Sequence, residues 1–311
     1  MTNKPKLLGL GAGRANGSAE IALKVALRAG EERGAAVELI RLDDLRIPAG
    51  PDASEPDDTW WLWEHLVECD GLIVSTPIMS RTIAARLKLL VDHLLGPNAD
   101  AAIIEQLAAV RRAGGEPAVP FRVDERVLKP RVAGFIAVGG SLTSQWKTLT
   151  LPLMHTTTFS MHMAVVDQVR FQGAGTPQSI VLDPDALARA AQLGRNVAEQ
   201  LGRPFEEAEY RGDVPGLCPM CHLNVVELDG RDVECATCGA RGALGDDFTV
   251  QWTDLTRSVI SMDERRAHYE EIRDTAQKHA AQRDEIEARA AEYDAFDRLA
   301  RPEAAPDATP R

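Results

Sequence analysis

The sequence contains no apolar run approaching the roughly 20 residues needed to span a bilayer. Nothing at its N-terminus has the pattern of a cleavable leader, because MTNKPKLLGLGAG runs directly into a strand. No membrane association is expected, and the cytoplasm is the expected compartment. Positive charge is also short. Lys and Arg number 35 against 47 Asp and Glu, giving a formal charge of -12. That balance excludes the concentrated positive field a nucleic-acid partner requires, and it favours solubility. With 24 Gly and 18 Pro in 311 residues, the chain is neither fibrous nor of low complexity, and 44% hydrophobic and 26% charged residues are globular values. Cysteine is scarce and clustered. Of five, Cys218, Cys221, Cys235 and Cys238 lie close together and Cys69 stands alone. Such a cluster in a chain expected in the cytoplasm reads as metal ligation rather than disulfides.

The length allows one large α/β domain with smaller appendages. Residues 6 to 50 read as strand, glycine loop, helix and strand: LLGLGAG, then SAEIALKVALRAGEERG with apolar positions at helical spacing, then AAVELIRL. A helix around Trp60, Trp61 and Trp63 precedes GLIVST, whose unbroken apolar character suits a parallel strand covered on both faces. The pattern predicts a further helix over 82 to 95, then a helix end and irregular loop across 100 to 128, including RRAGGEPAVP. VAGFIAVGG is the next buried strand. PLMHTTTFSMHMAV reads as a helix leading to the strand AVVDQV, and DPDALARAAQLGRNVAEQLG as a helix capped by Asp183 or Asp185. This alternation over 1 to 205 predicts an α/β fold built on a doubly wound parallel sheet. Residues 211 to 250 are short, turn-rich and cysteine-bearing. From Asp263 to Arg298 the chain reads as one long helix of mixed charge, and PEAAPDATPR as a disordered tail.

Gly11-Ala12-Gly13-Arg14-Ala15-Asn16-Gly17-Ser18 lies between the first strand and first helix, where backbone N–H groups and a helix N-terminus make an anion site. On spacing alone the glycines serve equally well to make the turn. Loops after GLIVST and GFIAVGG lie at the same kind of strand end, the edge where such sheets bind ligands.

The successive segments LLGLGAGRANGSAEIALKVALRAGEERGAAVELIRL, CDGLIVSTPIMSRTIAARLKLLVDH and KPRVAGFIAVGGSLTSQWKTLTLPLMHTTTF resemble the NADPH-dependent FMN reductase family over residues 6 to 200. The nearest branch is that of the multimeric flavodoxins and iron-sulfur flavoproteins. The resemblance implies a flavodoxin-like, FMN-binding domain over 1–205. It also implies a phosphate cradle at Gly11, Gly13, Arg14, Asn16, Gly17 and Ser18, with isoalloxazine contacts from Thr76, Pro77, Ile78 and Met79 and a bordering loop of Gly139, Gly140, Ser141 and Gln145. NAD(P)H as co-substrate and a homo-oligomer, dimer or tetramer, follow from the same resemblance. The chain departs from the family pattern at Ala12 and Ala19, where hydroxyls are usual, and at Met79, where an aromatic is usual. Thr143 and Ser144 replace glycines, and Ser160 and Met161 a histidine pair. These last changes surround the ring, where the family's nicotinamide or quinone substrate binds. Met79, His155, His162 and Trp146 have structural readings as core or hydrogen-bonded side chains, and Cys69 reads as a small buried hydrophobe.

Cys218-Pro-Met-Cys221 and Cys235-Ala-Thr-Cys238 each present two thiolates on a tight turn, and together they complete tetrahedral S4 coordination. Between them VVELDGRDVEC reads as a hairpin around Asp229-Gly230, too small to hold its fold without the metal. The pattern is that of a zinc-ribbon-like module over 206–250. Zinc is the expected ion and iron, in a rubredoxin-like site, the alternative, since both accept four sulfurs. A helical extension over 251–300, packed on its own domain or across a neighbouring subunit, and a tail over 301–311 complete the organisation.

The expected function is an FMN-dependent oxidoreductase passing electrons from NAD(P)H to a small organic acceptor. No catalytic acid or base is identifiable. One alternative is an electron-transfer flavoprotein with iron in the ribbon and a redox protein partner; the other is a degenerate flavodoxin-fold regulatory protein, motivated by Ala12 and Ala19.

Overall fold

The computed structural model describes residues 4–49, 56–117, 119, 121–213, 216–294, 296, 298 and 300. Strands β1 (Lys6–Gly11), β2 (Ala36–Arg41), β3 (Gly71–Pro77), β4 (Val132–Val138) and β5 (Ala164–Phe171) form a parallel sheet in the order β2-β1-β3-β4-β5. This is the flavodoxin-like doubly wound order. β4 is buried along its whole length and β3 up to its last residue, as unbroken apolar runs require when helices cover both faces. The connecting helices are α1 (Ser18–Glu32), α2 (Thr59–Glu68), α3 (Ala85–Leu94), α4 (Ala101–Arg112), α5 (Thr150–Met154) and α6 (Pro184–Ala198).

Alternation of side chains along the strands divides the core in two. Leu7, Ile73, Val132 and Ile136 pack with α1 and α6, while Leu8, Leu10, Leu72, Val74 and Phe135 pack with α2 to α5. The α1–α6 contact is the tightest helix pair: a Cβ built on Gly194 would lie 1.9 Å from the Ala26 carbonyl oxygen. Asp183 is the N-cap of α6, its carboxylate accepting from the Ala186 N–H at 2.9 Å.

Three segments differ from expectation. Residues 101–112 form a full helix, capped by Asp100 accepting from the Ala102 and Ile103 N–H groups, where the sequence suggested only a helix end. Ala118 and Pro120 of the following passage lie outside the described residues. The stretch after Pro152 is not a continuous helix: α5 stops at Met154 and a single turn follows over His155–Thr157. There the hydroxyls of Thr156, Thr157 and Thr158 donate to carbonyls three residues back, and His162 turns left-handed at φ 51°. The C-terminal helix is interrupted, with α7 (Met262–Ala281) and α8 (Arg283–Ala290) meeting at the non-helical Gln282. α8 buries none of its residues, so no apolar stripe holds it in register with the helix before it. The tail 301–311 lies outside the described residues.

The cysteine segment forms an antiparallel sheet of β6 (Val226–Asp229), β7 (Asp232–Cys235), β8 (Arg241–Leu244) and β9 (Val250–Asp254), in that order. Its first hairpin turns at Gly230, φ 62°, a backbone conformation that side-chain-bearing residues resist. Two compact units result, residues 1–267 and 268–311, and the ribbon belongs to the first. Cys218, Cys221, Cys235 and Cys238 are buried in the same apolar cluster as Phe135, Met154 and Met163. The buried amide of Gln168 on β5 donates to the Cys221 carbonyl at 2.8 Å, and the Arg211 N–H donates to Val166 at 2.6 Å, covering an edge strand.

Among the described residues no helix is long and apolar enough to cross a membrane.

Candidate functional site

All three loops singled out in the sequence meet at the C-terminal edge of the parallel sheet. The Ala12 N–H donates to the Ser75 carbonyl at 2.8 Å, and a Cβ on Gly13 would lie 3.3 Å from Pro77 Cδ, which joins the first loop to the second. The Ile78 N–H donates to Val138, and a Cβ on Gly139 would lie 3.0 Å from Ile78 Cδ1, which joins the second loop to the third. Gly11, Thr76 and Pro77 end their strands, while Gly140, Ser141 and Gln145 run along the third loop. Gln145 lies in a short turn beside exposed Trp146.

The first loop leaves backbone donors open at a helix N-terminus. Helix-internal bonding in α1 starts only with the Ile21 N–H on the Gly17 carbonyl, which leaves the first-turn donors open. Asn16 is left-handed at φ 56°, a strained conformation held by its surroundings. Its N–H donates to Glu20 Oε1 at 3.3 Å and its side chain accepts from Lys24 at 2.8 Å. Glu20 is buried and also pairs with Arg41 at 2.6 Å and Lys24 at 2.5 Å. Burial alone would raise the Glu20 carboxyl, but hydrogen bonds from Arg41 and Lys24 outweigh it and hold the pKa at about 2. Arg41 also meets Asp44 at 3.4 Å, so this cluster balances its own charge and Arg14 is the cation left unpaired on the loop.

Glu20 ordinarily ionises near 4.5 and here at about 2, so its contribution to stability is complete above about pH 4.5 and lost as pH falls towards 2. Glu20→Gln is expected to cost up to about 3 kcal/mol at neutral pH, with the difference from wild type shrinking below pH 4.5. Urea unfolding of both proteins at neutral and acidic pH measures this; a difference independent of pH would contradict it.

Sequence reading missed a fourth loop. After β5, Gly173-Ala174-Gly175-Thr176 closes on the third and first: Ala174 N–H donates to Gly139, and Ser18 Oγ to the Thr176 carbonyl at 3.4 Å. A Cβ on Gly140 would lie 2.7 Å from Gly175 Cα, so two backbones touch where only glycine fits. The signal was a second glycine pair directly after a strand. Arg81 was missed as well. It lies in the tight Met79–Thr82 hairpin with φ 76°, and its carbonyl accepts from Thr150. Among the described residues Arg14, Arg81, Lys147 and Arg170 make no ion pair, and all four come from loops or a strand end at this edge. Met79, Leu142 and Trp146 are 55%, 75% and 53% exposed here, so Met79 and Trp146 are not core side chains.

His155 is buried, edge-on to Phe135, and its Nε2 lies 3.2 Å from Gln168 Oε1; burial lowers its pKa to about 4. His162 stacks on Phe205, and burial likewise lowers its pKa to about 4. Both are structural. Cys69 is buried, its thiol donating to Leu66, and burial pushes it up to about 11.

A model of the NADPH-dependent FMN reductase family matches residues 5–175. The chain belongs to this family. The FMN reductase relationship makes it an FMN-dependent oxidoreductase, and the cradle just described fits a phosphate-bearing flavin: open helix N-terminal donors, an unpaired arginine, and loops whose glycines leave room for close approach. The likeness extends beyond the matched segment. The chain is 35% identical over 295 residues to flavone synthase cfoJ of Aspergillus candidus, spanning 88% of this chain and 89% of that protein. It also resembles a solved flavone reductase at 30% identity and a TM-score of 0.80, covering 96% of this chain and 100% of that one. Both alignments are too long to stop short of the ribbon.

In the ribbon, the sulfurs of Cys218, Cys221, Cys235 and Cys238 all lie within 4.8 Å of one another and are buried. Cys218 and Cys238 Sγ are 3.6 Å apart, and Cys221 and Cys235 Sγ 3.5 Å. Sulfurs at about 2.3 Å from one tetrahedral ion would be separated by just under about 4 Å, whereas a disulfide needs about 2 Å. The donor set therefore fits one tetrahedral metal ion. Gly239 takes φ 78° directly after the second knuckle, its N–H bonded to Cys235, as the turn requires.

Proposed function

We propose that this protein is an NAD(P)H-linked, FMN-dependent oxidoreductase whose organic substrate is a planar conjugated ketone of the flavone class. The observation that carries the reading is the two-part character of the sheet edge. Unpaired Arg14 and Arg81 favour anionic nucleotides, while exposed Met79, Leu142 and Trp146 offer an apolar surface to a flat ring. The names of both full-length relatives point to the same substrate class.

In this reading Gly11, Gly13, Arg14, Asn16, Gly17 and Ser18 hold the flavin phosphate. Thr76, Pro77, Ile78 and Met79 lie along the ring, bordered by Gly139, Gly140, Ser141 and Gln145. Bound FMN supplies two-electron hydride chemistry. The protein's residues bind, orient and exclude water: the second and third loops lie along the flavin, Glu20 holds the cradle in place, and the apolar rim keeps the acceptor flat. A hydride leaves NAD(P)H, and a hydride and a proton reach the acceptor's double bond.

Anaerobic incubation of the FMN-loaded protein with NADH or NADPH and a flavone tests the reading. Consumption of one reduced nicotinamide per flavanone formed supports it. Oxidation of the nicotinamide only by simple electron acceptors such as ferricyanide, with flavone untouched, would reject the substrate class. Removing the phosphate anchor is a separate test: Arg14→Ala should raise the Kd for FMN about 10-fold while leaving that for riboflavin, which lacks the phosphate, nearly unchanged. Equal losses for both ligands would place Arg14 elsewhere.

Zinc is the ribbon's ion in this reading, and its role is structural, because the knuckle is bonded into the domain core through Gln168. Iron in the purified protein would instead make the ribbon an electron carrier.

A further inference from the structure

Behind the third loop lies a cavity of about 430 Å³ that the flavin loops do not enclose by themselves. One wall is that loop, through Ser144, Lys147 and Thr148. The floor is the outer half of β5, with Gln168 and Arg170. The opposite wall is the turn that follows Cys221: His222, Leu223, Asn224 and Val225. This last wall is rigid. His222 is left-handed at φ 57° and stacks on Tyr210 at 3.9 Å. The Cys218 N–H donates to Leu223, the Leu217 N–H to Asn224 Oδ1, and Gln168 to the Cys221 carbonyl. The knuckle thus sets the width of a cavity whose other side is a loop of the flavin site, and the volume is in the range of small-molecule pockets.

The cavity also has an electrostatic bias. Arg170 donates to the Lys147 carbonyl at 3.1 Å, and neither side chain meets a carboxylate among the described residues. The carboxylate that lines the cavity, Asp213, is already paired with Arg189. Two cations therefore face a concave, partly apolar space, which is the arrangement for one delocalised anionic oxygen on a flat ring.

We infer that this cavity takes one end of the acceptor, the rest of which lies on the third loop's exposed Leu142 and Trp146, that Arg170 and Lys147 hold a phenolate of a hydroxylated planar acceptor there, and that the cysteine ribbon serves as the cavity's far wall. The inference rests on the flavone-class reading of the substrate and adds the pocket, the substituent and the ribbon's part in selecting it.

Calorimetric titration of the FMN-loaded protein tests it. The probes are a monohydroxyflavone whose phenol is ionised at the working pH and unsubstituted flavone. Arg170→Gln should weaken hydroxyflavone about 10-fold and unsubstituted flavone less than about 2-fold. Val225→Trp, which fills the cavity from the ribbon side, should weaken both flavones at least about 10-fold with FMN affinity unchanged. Unaltered hydroxyflavone binding in both variants overturns the inference. So does a loss confined to NADPH, which would make the two cations a nucleotide-phosphate site, and so does failure of the wild-type protein to bind hydroxyflavone. Turnover separates the two claims. If hydroxyflavone binds with the expected pattern but exchanges no hydride, the pocket stands and the proposed reaction falls. If it is turned over and the variants bind it normally, the reaction stands and the pocket falls.

Discussion

Cys221→Ser is expected to release the ribbon's metal and unfold residues 216–254 while the parallel sheet stays folded. The ribbon is a four-stranded sheet of short strands, mostly exposed along β6 and with no fully buried residue along β9, so its own apolar burial is small. In the zinc-ribbon reading its stability comes from four buried thiolates on one ion, and structural zinc sites of this kind contribute on the order of 10 kcal/mol. One serine leaves three ligands, and three do not close a structural site. Metal content should fall from about one per chain to near zero. Amide exchange should accelerate across the ribbon and in the Cys221 turn that Gln168 holds, and remain slow in β1, β3 and β4. Retained protection in the ribbon of a metal-free protein would mean that packing against β5, rather than the ion, supports it.

The second large effect is expected at Gly194. Helix α6 crosses α1 so closely that an alanine Cβ would stand 1.9 Å from the Ala26 carbonyl oxygen, a backbone atom that cannot rotate away. Ala22, Ala26, Gly30 and Ala190 make the same seam small on both sides. Relief requires the helices to separate, so Gly194→Ala should cost roughly 3 kcal/mol, at the upper end of overpacking effects. The same displacement moves the N-terminus of α1, where the anion cradle is, so FMN affinity should fall together with stability. A thermal or urea melt with a parallel flavin titration checks both. A destabilised protein with unchanged FMN affinity would show that the cradle is insulated from the seam.

What was legible in the sequence was local. GLIVST and VAGFIAVG announce buried parallel strands because both faces are covered. Asp229-Gly230 announces its hairpin and Asp183 its cap because each acts on neighbouring backbone. The cysteine pairs announce a tetrahedral site because two residues between sulfurs suffice for a turn. The glycine, threonine-proline and glycine-serine loops converge because they follow β1, β3 and β4, which lie side by side in the sheet. What was not legible joins distant positions. Glu20 finds Arg41 only after β2 has paired with β1, and Gly175 reaches Gly140 only after β5 has paired with β4. Arg265, on the segment read as a separate helix, donates to the Ser160 carbonyl and pairs with Asp100, tying residues more than a hundred apart into one unit. The cavity beside the ribbon takes residues from four separate segments, none with a local signature.

We propose that this edge of the sheet binds FMN, with a reduced nicotinamide as the electron source. Anaerobic titration of the purified, FMN-loaded protein with NADH and NADPH, followed through the oxidised-flavin absorption band, is the measurement to make. About one FMN should be retained per chain, about one equivalent of reduced nicotinamide should bleach its band completely, and adding flavone should restore the band. A protein that retains no flavin after loading, or whose bound flavin stays oxidised with both nucleotides, would contradict it.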